Sequence, residues 1–349
     1  MHKAIKISII VLVALIVVLV VVPFCISIAV YESVFGKRFS TYQPLGYSVA
    51  DFDGLKAQRY EFASNKQQKL VGYRYFVSDE TPKGVIIFAH GFGGGGHNSY
   101  MDSAHFFASN GYNVFAYDAT GNDESEGKGT LGLAQGVIDL SHAIDFVKTL
   151  PEFANLPIML FGHSWGGYSV CNVLNFHPEV KAVVSFSGFN QSSDLIKVQG
   201  KAMVGGAINL LMPYVNAYES MKFGKYAKTT AMDGFANSNA GVFIVHSQDD
   251  TTVPIQYGYD IYFEKYANNP RFTFVSYANK GHSFVFCSDE AIKYIDTFNK
   301  GFSEYFANRE FTAEAKAEYI RQNLDRSVWC NLLNEQLYQD ILSFYDSYL

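Results

Sequence analysis

The sequence predicts an α/β fold: a mostly parallel sheet flanked by helices, with an inserted helical cap and an N-terminal transmembrane helix. Three observations carry this. Short apolar runs rich in β-branched or aromatic residues recur at 84–91, 112–118, 157–164, 180–189, 241–250 and 271–282. Strands buried on both faces read as continuous runs of this kind, the pattern of a sheet covered by helices on either side. Segments of helical period separate them; over 131–150, Leu133, Val137, Leu140, Ile144 and Val147 fall on one face. The third observation is residues 7–31, which carry no charged side chain and exceed the ~20 apolar residues that cross a bilayer as a helix.

Composition sets outer bounds. The chain has 349 residues, 48% of them hydrophobic and 17% charged, enough for a large core and too apolar for disorder. The net charge of −6, without a Lys/Arg cluster, excludes nucleic acid as a partner. It does not speak to oligomeric state.

Each element then follows in order. Residues 1–31 read as a membrane signal-anchor; the rivals are a buried core helix and a cleaved signal peptide, for which Ser27 and Ala29 offer a small-x-small pair, although the run exceeds the usual apolar core of about 7–15 residues. Lys3 and Lys6 before the span balance Lys37 and Arg38 after it, so charge decides orientation weakly. A short tail ahead of a large domain points to that domain lying outside the cytoplasm, on a single-pass protein of the cell membrane. Residues 32–56 read as a juxtamembrane linker and 57–309 as the main domain. The domain opens on a hairpin, "QRYEFAS" and "KLVGYRYFVS" around an "NKQQ" turn. Residues of about 190–240 are too long an interval for one crossover helix, and their apolar side chains need something to cover, which makes them a cap. The tail at 310–349 reads as a helical extension, with Asp289–Phe306 before it and 328–349 at its end as helices. Four cysteines are too few for a disulfide framework; Cys287 and Cys330 either pair or stand as buried thiols.

The chemistry sits at strand ends. Gly162-His163-Ser164-Trp165-Gly166 follows an apolar strand and precedes a helix-like "GGYSVCNVLNF", the setting of a nucleophile elbow. There Ser164 is forced into a strained turn, and Gly162 and Gly166 remove clashing Cβ atoms. A serine hydroxyl needs a base. His163 shares the rigid turn and reads as packing, whereas His282, in "NKGHSF" after the last strand, stands at the sheet's carboxyl edge. The acid is Asp250, which precedes "TTVP" and a helix start at Ile255, with Asp249 as its rival. The glycine-rich "HGFGGGG" lets backbone approach a substrate, and the amides of Phe92 and Trp165 are the expected oxyanion donors. A phosphate loop is the competing reading, but Gly-Lys-Ser/Thr and a ribose-binding acid in register are both lacking. No metal and no organic cofactor are expected.

With "HGFGG", "YDATGNDESEG", "GHSWGGY", "DDTTVP" and "GHSF" in this order, residues 84–283 resemble the α/β-hydrolase superfamily, in its serine-hydrolase branch with lysophospholipase-like, prolyl-oligopeptidase-like and thioesterase-like members. The family's D-x-R-G-x-G-x-S loop keeps Asp118, Gly121 and Ser125 here, while Thr120 and Asp123 replace Arg and Gly. Asp123, Glu124 and Glu126 make that loop acidic, read as a solvated face. The resemblance implies a serine hydrolase acting on a small-molecule acyl ester, a carboxylesterase or lysophospholipase-like enzyme. A peptidase or thioesterase on the same fold is the alternative, and a catalytically silent, membrane-tethered binding protein the alternative of another class. A propeller-sized domain is not expected ahead of the hydrolase unit, which weighs against the prolyl-oligopeptidase option.

Overall fold

The computed structural model describes residues 2–349, with side chains from Ala4 onward. Met1 and the side chains of His2 and Lys3, which enter the expected anchor and its charge balance, lie outside the described residues.

An apolar helix opens the chain as α1 (His2–Ile16), one π-helical turn (Val17–Val21) and α2 (Val22–Phe35). Pro23 explains the widened turn. It has no N–H to give the carbonyl four residues back, that of Leu19, and its ring crowds that carbonyl. The helix runs past residue 31, and Ser27, Tyr31 and Phe35 are buried. Tyr31 and Phe35 join the main apolar core. The segment that reads as a polar linker is packed too: Phe39 N donates to Gly121 O at 3.1 Å, and the Thr41 amide and hydroxyl both donate to Asp123 at 2.6 Å.

One eight-stranded sheet follows, in the order β1-β2-β4-β3-β5-β6-β7-β8. The hairpin β1 (Lys56–Ala63) and β2 (Lys69–Phe76) forms one edge, and β2 lies antiparallel to β4 (Asn113–Tyr117). All other neighbours are parallel: β3 (Val85–Ala89), β5 (Ile158–His163), β6 (Ala182–Phe186), β7 (Gly241–Ser247) and β8 (Phe272–Tyr277). Every residue of β3 through β7 is buried, because helices cover both faces. One face packs α4 (Leu133–Thr149), α5 (Trp165–Asn172), α8 (Ala231–Asn237) and α9 (Tyr259–Tyr266); the other packs α3 (Met101–Ser109) and α13 (Glu335–Asp346). Parallel order forces each crossover to the far end of the sheet, so the loops after β3, β5, β7 and β8 meet at one edge.

The interval after β6 is helical, with α6 (Ser192–Val204) and α7 (Ile208–Phe223) ahead of α8. α2 lies along α7, joined by Tyr31 Oη donating to Glu219 Oε1 at 2.9 Å and by Lys222 bonding Glu32. In the tail, α10 (Asp289–Phe306) matches its expected bounds and α11 (Ala313–Asn323) follows. The final stretch departs from expectation. The single helix expected over 328–349 is split into α12 (Arg326–Trp329) and α13, because Leu333 pairs with Cys287 as a β-bridge and the Asn334 side chain accepts from Leu337 N to cap α13. Cys287 and Cys330 are separate, buried thiols.

Candidate active site

β5 ends at His163 and α5 begins at Trp165, which leaves Ser164 alone at φ 57°, ψ −115°. An alanine-like residue in that region costs of order 1–3 kcal/mol, and the surroundings must enforce it. They do so sterically: a Cβ on Gly166 would stand 1.8 Å from Ala89 O, and one on Gly162 2.3 Å from Gly166 O. The small residues boxing the serine are thus required by close contact of the elbow with β3 and with itself. Ser164 N donates to Phe186 O at 2.8 Å, tying the turn to β6.

His282 lies in the turn after β8, with Nε2 2.8 Å from Ser164 Oγ and Nδ1 2.8 Å from Asp250 Oδ2. With Nδ1–H donating to the carboxylate, Nε2 is left to accept the serine proton. Asp250 follows β7, and its other oxygen accepts from Thr252 N at 2.9 Å and Val253 N at 2.8 Å. Burial favours the protonated acid, but hydrogen bonds from His246 and His282 outweigh it and hold Asp250 well below the usual carboxylate range. Asp249 does not touch His282. Its Oδ1 accepts from Ser247 Oγ at 2.6 Å and from Gly281 N at 2.8 Å, so it fastens the His282 turn to the end of β7.

Phe92, in the loop after β3, lines the cavity over Ser164, and Trp165, at the first position of α5, directly follows Ser164 in the chain. Among the described residues neither amide N–H donates to another protein group. The Phe92 ring meets Trp165 at 5.7 Å, Phe39 at 5.1 Å and Phe35 at 5.6 Å between centroids, so the N-terminal segment backs the glycine loop. A cavity of about 300 Å³ lies over Ser164 and His282, walled by that loop, Tyr100 and Phe286.

Two histidines do more than the sequence reading allowed. His163 reads as packing, yet Tyr100 Oη donates to its Nδ1 at 2.8 Å and its Nε2–H donates to His282 O at 2.9 Å. Burial, with His282 close by, pushes its pKa down to about 3, so it is neutral with one fixed tautomer. His246 is fully buried, donates Nε2–H to Val253 O at 2.8 Å, and stands 3.3 Å from Asp250 Oδ2. Nothing in its strand sequence signals this role, because a strand histidine four residues before an acid has no distinctive spacing.

His97, Asp118 and Glu124 bring possible ligand atoms within 4.8 Å of one another. Asp118 is already engaged: Oδ1 accepts from His97 N at 2.7 Å and bonds its ring Nδ1 at 2.8 Å, and Oδ2 accepts from Glu124 N at 3.1 Å. It locks the glycine loop to the acidic loop. Thr120, where the family pattern has Arg, donates its hydroxyl to Asp139 at 3.0 Å. Glu124 accepts from Arg59 at 3.0 Å and Tyr73 at 2.5 Å on the outer surface.

Comparison with known proteins agrees with this architecture. Residues 80–232 match the family model described as serine aminopeptidase, S33. Mouse monoglyceride lipase is 32% identical over 96 residues, 27% of this chain and 31% of that protein, so the match spans about a third of the curated relative. An esterase of Pyrococcus furiosus superposes with a TM-score of 0.53 at 18% identity, covering 79% of this chain and 95% of that one. The Pyrococcus horikoshii acylaminoacyl peptidase gives a TM-score of 0.54 at 17% identity, over 76% of this chain and 44% of that one. In fold the chain is similar to these esterase and peptidase structures, and over residues 80–232 it is similar to the family of that model.

Proposed function

We propose that the protein is a serine hydrolase that cleaves an acyl ester through an acyl-enzyme. Ser164 Oγ attacks the carbonyl carbon while its proton passes to His282 Nε2; the imidazolium then protonates the departing alcohol, and a water repeats both steps to free the acid. Asp250 holds the His282 tautomer and stabilises its cation. The amides of Phe92 and Trp165 bind the oxyanion, which carries full charge only in the tetrahedral state. The observation that carries this reading is the line of 2.8 Å contacts from Asp250 through His282 to Ser164 at the floor of a cavity.

The family description favours a second reading, aminopeptidase activity. An aminopeptidase must hold an α-ammonium group, yet the residues lining the cavity over Ser164 include no carboxylate. Esters therefore come first, with peptides and thioesters behind. The apolar helix supports a protein anchored in the membrane through residues 7–31; the reading that its catalytic domain lies outside the cytoplasm rests on the short tail ahead of a large domain. A fluorophosphonate probe should label the full chain and fail to label Ser164→Ala; labelling that persists in the variant would overturn the assignment. A panel of esters, thioesters and aminoacyl amides then ranks the three substrates.

A further inference from the structure

We propose that the tip of the cap, the end of α6 with the start of α7, is sunk in the bilayer that the N-terminal helix spans, and that the cavity behind it receives a lipid acyl chain from that bilayer. This rests on the anchored-esterase reading and adds where the substrate comes from.

Helix length makes the first argument. Crossing a hydrocarbon core takes about 30 Å, or ~20 residues at 1.5 Å each, which from Ile7 reaches Ile26. The cap meets the helix well before that. Tyr214 Oη of α7 donates to Leu19 O at 2.5 Å, and the Tyr218 ring lies 6.5 Å from that of Phe24. Only residues 7–18 rise free of the cap, about 18 Å of helix. A bilayer of ordinary thickness must therefore take in the level of Leu19 to Ile26, and whatever packs beside it.

The cap residues at that level suit the surroundings. Residues 202–215 carry no charged side chain. Met203 is 60% exposed and Leu210 77%, an apolar surface that the protein leaves uncovered. The Tyr214 bond has its own meaning there. Pro23 has no N–H to give the Leu19 carbonyl, and in hydrocarbon an under-bonded carbonyl is costly, so the Tyr214 hydroxyl gives it a donor where water would be absent.

Behind this tip, between α2, α6 and α7, lies a cavity of about 90 Å³ with almost wholly apolar walls, among them Val30, Val34, Met203, Leu211 and Phe35. Phe35 also rests on Phe92, which lines the cavity over Ser164. One aromatic pair thus stands between the lipid-side cavity and the candidate nucleophile, and one of its rings belongs to the anchor helix itself.

The test uses full-length protein in phosphatidylcholine vesicles, in a Cys25→Ser background because Cys25 is exposed. An environment-sensitive NBD label is placed at Leu210→Cys, or at Leu12→Cys as a reporter on the span, and doxyl-labelled lipids serve as quenchers. The proposal expects both sites to be quenched. Quenching at position 12 with water-like emission at 210 leaves the anchor standing and overturns the cap proposal; no quenching at either overturns both. Shielded but unquenched emission at 210 means that a second protein copy covers the tip, which also overturns it. These readouts need no turnover, so they stand apart from the esterase reading. In a second arm, Leu210→Asp should lower hydrolysis of a long-chain monoacylglycerol in those vesicles by about tenfold, the order expected for losing one buried leucine at an interface. Turnover of soluble p-nitrophenyl butyrate should stay unchanged, and an equal loss on both substrates would count against the proposal.

Discussion

α5 and α6 leave the same edge of the sheet and are built on different terms. α5 starts beside Ser164 and buries all eight of its residues; α6, thirteen residues long, buries only Ser192. A helix whose first turn positions a hydroxyl and an amide N–H is gripped from all sides, because a shift of one ångström at a reacting atom is expensive. A helix that rests Leu195 and Ile196 on the core but leaves Met203 and Val204 exposed at its end is shaped there for something outside the protein. Substitutions that place the same insult on either side of this divide measure how deep it runs.

The largest contrast comes from one methyl group. In Gly166→Ala the new Cβ would lie 1.8 Å from Ala89 O, and β3 is a central strand with no room to yield. Ester turnover should vanish, with a fall in melting temperature of about 10 °C or more. Gly206→Ala, in the cap, meets nothing within 4 Å and should move stability by less than ~0.5 kcal/mol. Thermal unfolding of the pair decides it; equal shifts would erase the distinction between the regions.

Next comes the acid pair. Asp250→Asn keeps the shape of the site but favours the wrong His282 tautomer, and kcat on p-nitrophenyl butyrate should fall by about 10⁴. Asp249→Asn disturbs only the fastening of the turn and should cost about tenfold or less, in line with one weakened hydrogen bond. The reverse ranking would hand the role to Asp249.

Acid should loosen the rigid side first. His163 holds a pKa of about 3 when folded against ~6.5 when unfolded, so between those values the unfolded chain binds a proton that the folded one refuses. Stability therefore drops as pH falls from about 6.5 toward 3. Asp250 works in the same direction lower down: its folded pKa is depressed, so its contribution is present above the unfolded value near ~4 and is lost as pH falls through the folded one. His163→Asn should be less stable at neutral pH and show a flatter melting temperature between pH 6.5 and 4. An unchanged slope would show that His163 does not govern acid lability.

The same divide marks what the sequence discloses. The strands, the elbow glycines and the late histidine were legible because each reflects a local rule: burial on both faces, a clash at a tight turn, a loop after a strand. Asp250 against Asp249 was readable only as a preference, since adjacent acids differ by which way a turn points them. His163, His246 and the Thr41–Asp123 tie were not legible, because their partners lie far off in sequence and only tertiary packing joins them. The continuation of the apolar helix into the core is hidden by its composition: Tyr31 reads as the end of a span and Phe35 as part of a linker, whereas both are buried in the main core. The break before α13 was missed because the apolar content of 328–349 masked an N-capping Asn334.

The smallest effects test how the helical insertion is held to the N-terminal helix. Tyr31 Oη donates to Glu219 Oε1 at 2.9 Å, Ser192 Oγ donates to the other oxygen at 3.0 Å, and Glu219 is 1% exposed. Tyr31→Phe leaves a buried acceptor short of a donor, a cost of about 1–2 kcal/mol, which as a local opening equals roughly a 5–30-fold faster amide exchange in α7. Lys222 bonds Glu32 nearer the surface, and Glu32 keeps the Tyr218 hydroxyl at 2.7 Å when the lysine is gone. Lys222→Met should therefore cost under ~1 kcal/mol, less than about fivefold in exchange, and fade further with salt. Hydrogen–deuterium exchange on the vesicle-bound protein separates the two. If Lys222→Met loosens α7 more than Tyr31→Phe does, the Lys222–Glu32 ion pair and not a buried hydroxyl joins the N-terminal helix to α7, and that joint should then weaken as ionic strength rises.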